Sequence, residues 1–238
     1  MNEEIIPLTG LRGRIARRMV ESVTTKPAVT LHATASADQL WASLTRLRER
    51  DGSVTLNDII LSTVAYALRT YPRMNGRIDA TGVHLSPVIN IGFACSVPDG
   101  LVVPVIKNAD TKSVWQLAEE RRDLTARARA GKLKPWELMD GTFSVTNLGS
   151  LGVDYFTPII NPPEIGILGL GAVRETVTWD DRDGTAKPVR VIGLSLSFDH
   201  AAIDGREAAE FLQRLVALFA SHPQSLLEIP SGGPPEGG

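Results

Sequence analysis

Leu194-Ser195-Leu196-Ser197-Phe198-Asp199-His200-Ala201-Ala202-Ile203-Asp204-Gly205 passes from strand to helix with a single histidine at the join. Apolar and hydroxyl residues alternate from Leu194 to Phe198, the period-two pattern of a strand with one apolar face. Downstream, Ala208, Phe211, Leu212, Leu215, Val216 and Phe219 recur at helical spacing, so a helix follows. Asp204 reads as its N-cap, Glu207 three residues on completes a capping-box variant, and Gly205 lets the chain turn tightly. Such a turn is a rigid mount for the imidazole of His200.

The chain has 238 residues, 43% hydrophobic and 22% charged, enough to bury the core of one sizeable domain or two small ones. A formal net charge of −2 offers no cationic excess for neutralising phosphates, which argues against nucleic acid as a partner. Cys95 is the only cysteine, so an internal disulfide is excluded; Phe93, Ala94 and Val97 around it predict a buried thiol. No stretch approaches the roughly 18 apolar residues of a membrane span, and Met1-Asn2-Glu3-Glu4 is acidic where a signal peptide is basic. A soluble, cytoplasmic protein without membrane attachment is expected. Residues 1–230 read as one domain, and Ser-Gly-Gly-Pro-Pro-Glu-Gly-Gly over 231–238 reads as a flexible tail with nothing to bury.

Residues 11–22 predict a basic helix carrying Leu11, Ile15 and Met19 with Arg12, Arg14, Arg17 and Arg18. It is either a solvated, salt-bridged helix or a docking helix for an acidic or phosphate-bearing partner. Ala28–Ala35 alternates as a strand, with His32 exposed on its polar side. Ser36 or Asp38 caps a helix over 38–50, and Asn57 or Thr55 caps an apolar one over 57–70 that ends before Pro72. From Val83 to Lys107 the pattern is β, broken by a hairpin signal at Pro98-Asp99-Gly100. A charged helix over 113–131 ends at Gly131, a short one covers 134–140, and strands are expected over 142–146, 164–173 and 189–198. Turns at Gly149 and Gly152 and a polar loop over 180–184 join them, which makes one mixed α/β domain.

Four histidines, one cysteine and no His/Asp/Glu cluster at ligand spacing argue against a metal site. Gly166-Ile167-Leu168-Gly169-Leu170-Gly171 lacks the Lys-Ser/Thr of a phosphate loop and reads as a buried strand. No Gly-x-Ser-x-Gly elbow is present. His200 remains as the group suited to taking and returning a proton near neutrality, the alternative being a hydrogen-bonded histidine at a strand end. For Asp204 the alternatives are an imidazole partner or a plain N-cap, and for Asp199 a buried ion pair. Phe143-Ser144-Val145-Thr146-Asn147-Leu148-Gly149-Ser150-Leu151-Gly152 ends a strand with hydroxyl donors, either turn formers or a donor to a developing oxyanion.

The chain resembles the catalytic domain of the dihydrolipoamide acyltransferases, the E2 components of 2-oxo acid dehydrogenase complexes. The likeness runs from Ile6-Pro7-Leu8-Thr9-Gly10-Leu11 and Ile15-Ala16-Arg17-Arg18-Met19 to Leu227. It takes in Pro98 to Ile106, Phe143 to Gly152, Asn161-Pro162-Pro163-Glu164 and the histidine run. The resemblance implies a chloramphenicol acetyltransferase-like α/β fold: a mixed sheet flanked by helices, in a trimer with active sites between subunits, from which cubic or dodecahedral cores are built. It also implies His200 as general base toward a thiol, Thr146 as donor to the tetrahedral oxyanion in a site shared with His200 of the neighbouring subunit, and Asp204 as support for the histidine turn. The implied substrates are coenzyme A and dihydrolipoamide, with no metal, and the implied partners are a lipoyl domain and the E1 and E3 components.

A thiol of pKa about 8.5 is partly ionised at neutrality, so a nearby imidazole suffices to activate it. Asn147-Leu148-Gly149 resembles the acetyl or branched-chain branches more than the succinyl one, which tends to Asn-Gly-Gly. The family usually reads Asp-His-Arg, whereas Ala201 follows His200 here, as in the His-His-Ala of chloramphenicol acetyltransferase. No lipoyl or E1/E3-binding domain lies within the 238 residues, so the expectation is an excised core or a free-standing acyltransferase served by another carrier. A coenzyme A-dependent transferase with a different acceptor and a catalytically decayed core protein are the alternatives.

Overall fold

The hydroxyl and apolar residues of the histidine run alternate because they lie in the middle of a sheet covered on both faces. The computed structural model describes residues 7–180 and 184–223, so the expected tail at 231–238 lies outside the described residues. In chain order the elements are α1 (Gly10–Thr25), β1 (Ala28–Ser36), α2 (Asp38–Arg50), α3 (Leu56–Thr70), β2 (Gly76–Asp79) and β3 (Gly82–Leu85). There follow β4 (Ile91–Phe93), β5 (Cys95–Val97), β6 (Gly100–Val102), β7 (Val105–Ile106), α4 (Val114–Arg129), β8 (Phe143–Asn147), β9 (Gly166–Asp180), β10 (Thr185–Asp199) and α5 (Gly205–Ser221).

Six strands form the main sheet in the order β1-β10-β9-β8-β4-β7. β1, β10 and β9 are antiparallel, β9-β8 and β8-β4 are parallel, and β4-β7 is antiparallel, so the sheet is mixed as expected. Leu194, Leu196 and Phe198 turn into a core that includes Leu168, Leu170, Leu40, Ile59, Ile60, Phe211 and Phe219. Helices α2, α3, α4 and α5 cover that side, α5 packing on β1 and on α2 and α3.

Pairing puts Ser195 opposite Gly169 and His32, and Ser197 opposite Ile167 and Thr30, so these residues share the other face. Thr30 and Ser197 hydroxyls are 2.7 Å apart, and exposed His32 places Nδ1 2.9 Å from Ser195 Oγ. The extended segment 153–160 lies across this face. A Cβ on Gly169 would strike the Phe156 ring, and one on Gly171 or Gly193 would strike the Asp154 carbonyl. The glycine run is therefore a buried strand, and its glycines are there for close approach of another backbone.

Local expectations hold where the signal is local. Cys95 is buried in the core, Pro98-Asp99 link β5 to β6 with Gly100 at φ 146°, and Gly131 sits at φ 67° just past α4. Thr55 caps α3: its N–H donates to Asp58 Oδ2 at 2.8 Å. Neither Ser36 nor Asp38 caps α2, because Ala37 occupies the N-cap and Asp38 Oδ1 instead accepts from the Arg190 N–H at 3.1 Å. β9 and β10 are longer than expected, running to Asp180 and back from Thr185 as a hairpin arm whose Val177 and Trp179 are exposed.

Candidate active site

His200 is the first residue beyond β10. Its N–H donates to Pro27 O at 3.0 Å, extending the β1–β10 pairing by one bond, and its side chain is exposed. Asp199 before it is 1% exposed and engaged on every side. Its N–H donates to Ile165 O at 2.9 Å, and its carbonyl accepts from Ala202 and Ile203 at 2.9 and 3.1 Å. Its Oδ1 accepts from Ala201 N–H at 3.0 Å, and its Oδ2 pairs with Lys26 Nζ at 3.0 Å. The buried ion pair weighed for Asp199 is thus present. The imidazole stands on a turn with little freedom, 5.8 Å from the Phe198 ring.

Asp204 occupies the N-cap position of α5 with extended backbone, φ −80° and ψ 153°. Its carboxylate makes no cap hydrogen bond. Glu207 does not close a capping box either: its Oε1 accepts from Arg73 Nε at 2.9 Å, a charged donor that outcompetes a neutral amide. Arg73 also donates to Ala202 O at 3.2 Å, so it fastens the turn from outside. Of the two readings of Asp204, one chain shows the N-cap position, with the exposed carboxylate not hydrogen-bonded to His200.

Thr146 lies near the end of β8, half-buried, opposite Gly169 and hence in line with Ser195 on the hydroxyl face. Asn147 next to it faces the other way, its Nδ2 donating to Asn57 Oδ1 at 2.7 Å while its Oδ1 accepts from Gly149 N–H. His200 is five residues along from Ser195 and two strands across from Thr146. At 3.3 Å per residue and 4.8 Å per strand, the two are separated by about 19 Å in one chain. One chain does not bring these two together.

Beside the histidine turn, next to the Ile165 that accepts the Asp199 N–H, lies Glu164, whose burial the reading of single residues missed. It is 1% exposed and accepts from Asn161 Nδ2 at 2.7 Å on Oε1, while Arg18 reaches Asn161 Oδ1 at 3.0 Å and Pro162 O. Gly92 and Gly141 leave room for it: a Cβ on Gly141 would meet its carboxylate. Burial pushes the carboxyl up to about 7, outweighing the pull of Ser144, Asn161 and the Arg18 and Lys26 charges. A carboxyl raised above its ordinary 4.5 holds its proton better folded than unfolded, so its stabilisation is full below about 4.5 and lost as pH rises through 7. Going from pH 5 to pH 8, the melting temperature of Glu164→Gln should therefore gain on that of the wild type. Equal differences at both pH values in thermal melts would contradict this.

Lys26 and Arg73 were also missed. Nothing local marks them, since their partners lie in the C-terminal third of the chain. What the assembled groups offer is an exposed imidazole on a fixed turn and, elsewhere on the sheet, the half-buried Thr146 hydroxyl near a strand end, without a hydrogen-bond partner among the described residues.

Residues 1–228 match the family model of 2-oxoacid dehydrogenases acyltransferase (catalytic domain). A relative from Cupriavidus necator, the dihydrolipoyllysine-residue acetyltransferase component of pyruvate dehydrogenase complex, is 40% identical over 205 residues. That match covers 84% of this chain and only 37% of the relative's length. Azotobacter vinelandii dihydrolipoamide acetyltransferase superposes with a TM-score of 0.89 at 33% identity, covering 95% of each chain. In that protein a serine, a histidine and an asparagine four residues after the histidine were investigated for roles in the catalytic mechanism. A cubic core of the pyruvate dehydrogenase multienzyme complex superposes equally well, at 34% identity and 95% coverage of each chain. Chloramphenicol acetyltransferase, at 16% identity, TM-score 0.52 and coverage of 91% and 99%, shares the fold.

Proposed function

This chain belongs to the 2-oxoacid dehydrogenase acyltransferase (catalytic domain) family, and from that premise we propose that it moves an acyl group between dihydrolipoamide and coenzyme A. The observation that carries the reading is His200, an exposed imidazole on a fully bonded turn, four residues ahead of Asp204. The same four-residue interval separates histidine and asparagine in the Azotobacter enzyme.

In the proposed reaction the imidazole takes the proton of the incoming thiol, and the thiolate adds to the thioester carbonyl. The tetrahedral oxyanion is held by the Thr146 hydroxyl, a donor worth about 10²–10³ in rate. Collapse breaks the original C–S bond, and the imidazolium returns its proton to the departing thiolate. Neither a metal nor a covalent enzyme intermediate enters these steps. Direct transfer asks for positioning, and the anchored turn provides it.

The spacing of about 19 Å between His200 and Thr146 supports a site completed by a second copy, hence a homotrimer with active sites between subunits. Larger cubic or dodecahedral assembly, a lipoyl domain presenting the substrate arm, and E1 and E3 as partners belong to the same reading, as do a cytoplasmic location and a single catalytic domain over 1–230. Among the described residues no helix is long and apolar enough to cross a membrane. Asp204 is assigned to the turn that supports His200. Asn147-Leu148-Gly149 favours acetyl or branched-chain acyl groups over succinyl.

Acetyl-, isobutyryl- and succinyl-coenzyme A, each offered with dihydrolipoamide, test the reading. Formation of acyl-dihydrolipoamide is expected with the first two in preference to the third, and no turnover with any of them would sink it.

A further inference from the structure

His200 is held by its neighbours on both sides, and the charge that stabilises them comes from Lys26, just before β1 at the same end of the β1–β10 pair. Lys26 follows α1, its N–H donating to Ser22 O at 3.0 Å, and its side chain is 5% exposed. Among the described residues the carboxylate it pairs with is Asp199, whose side chain is 2% exposed. Ala201 brings no charge to the turn, and the Asp199 carboxylate has two duties: it neutralises Lys26 with Oδ2 and ties the Ala201 N–H with Oδ1. Pro27, next to Lys26, accepts the His200 N–H. Lys26 and Pro27 thus grip the residue before the imidazole and the imidazole's own backbone.

We propose that Lys26, through its buried ion pair with Asp199, is a positioning residue that holds the Asp199–Ile203 turn so that His200 is presented in one orientation. The inference rests on the acyl-transfer reading. Its physical basis is that a buried carboxylate stripped of its only cation does not remain in place. It takes up a proton or turns toward water, and either change releases the Ala201 amide and loosens the turn. Glu164, close enough to feel the Lys26 charge, loses compensation at the same time.

Lys26→Met is the test, run beside Lys26→Met/Asp199→Asn, in which both charges are gone while the asparagine oxygen can still accept from Ala201. For Lys26→Met, kcat is expected to fall about 10²-fold, the usual consequence of a base displaced by about 1 Å, with KM for either thiol substrate within about threefold. The double variant should recover at least about tenfold of that loss. Hydrogen exchange read at single amides should show the Ala201 N–H about tenfold less protected in Lys26→Met than in wild type. A folded Lys26→Met with unchanged kcat overturns the inference, as does a double variant no faster than the single one. If the wild type transfers no acyl group, the functional reading fails, and the Ala201 amide then decides alone: unchanged protection overturns the positioning role, and lost protection upholds it.

Discussion

His200→Ala is expected to slow acyl transfer between coenzyme A and dihydrolipoamide by about 10²–10⁴-fold, the contribution of one well-placed general base. The loss should appear in kcat, because in the proposed reaction the imidazole acts on a proton that moves in the transition state and contributes little to holding either substrate. Thermal unfolding should shift by no more than about 2 °C, since an exposed side chain is being trimmed. Steady-state rates at saturating thiol and thioester, measured beside a calorimetric scan, check both halves. A variant as fast as wild type would remove the imidazole from the mechanism. The backbone of the turn is retained in the variant, as Asp199 keeps Lys26 and the Ala201 amide, so lost activity with retained stability isolates the side chain's chemistry.

Phe211→Ala should produce the largest loss of stability. The ring is fully buried on α5, edge-on to Tyr71 at 5.7 Å and to Phe143 at 5.9 Å. It braces the helix that leaves the histidine turn against the strand that carries Thr146. Truncation removes the ring's burial and leaves a cavity that rigid neighbours cannot fill, a cost of about 3–5 kcal/mol. Against a total of about 5–15 kcal/mol, that is a fall in melting temperature of roughly 10 °C. Urea and thermal melts measure it, and a shift below about 3 °C would show that the ring's neighbours close over the gap.

The parts of the fold that could be read from residues alone were those whose cause is local. Alternation at Leu194–Phe198, the Pro98-Asp99-Gly100 turn and the glycine after α4 each act within a few residues, and each element stands where the pattern put it. β9 and β10 were read too short because Arg174, Glu175 and Asp180 resemble loop residues. They lie in strands since the hairpin pairs them: Arg190 Nη2 meets Glu175 across the ladder at 2.9 Å. Asp204 does occupy the N-cap of α5, but the capping box was misread for a similar reason, Glu207 being taken by Arg73 from another part of the chain. At the candidate site, His200 was visible as a lone titratable group at a strand end. Its supports were not: Lys26 lies 173 residues from Asp199, and no periodicity connects them. Thr146 stood out only through the family resemblance, and its distance from His200 emerges only when β8, β9 and β10 are laid side by side.

Sheet order also governs when the histidine turn can form. β1 is an edge strand whose one partner, β10, is made roughly 160 residues later, which at a ribosomal pace of about 5–20 residues per second is a wait of roughly 8–30 s. Until then its backbone amides and carbonyls have no ladder to join. The helices between them can form early, because their contacts are short in sequence, but closing so long a loop is slow. The strand that ends the wait is the same strand that delivers His200. No nascent or partly folded chain therefore holds His200 on its bonded turn while the sheet is still open, and that turn is complete only in the finished fold.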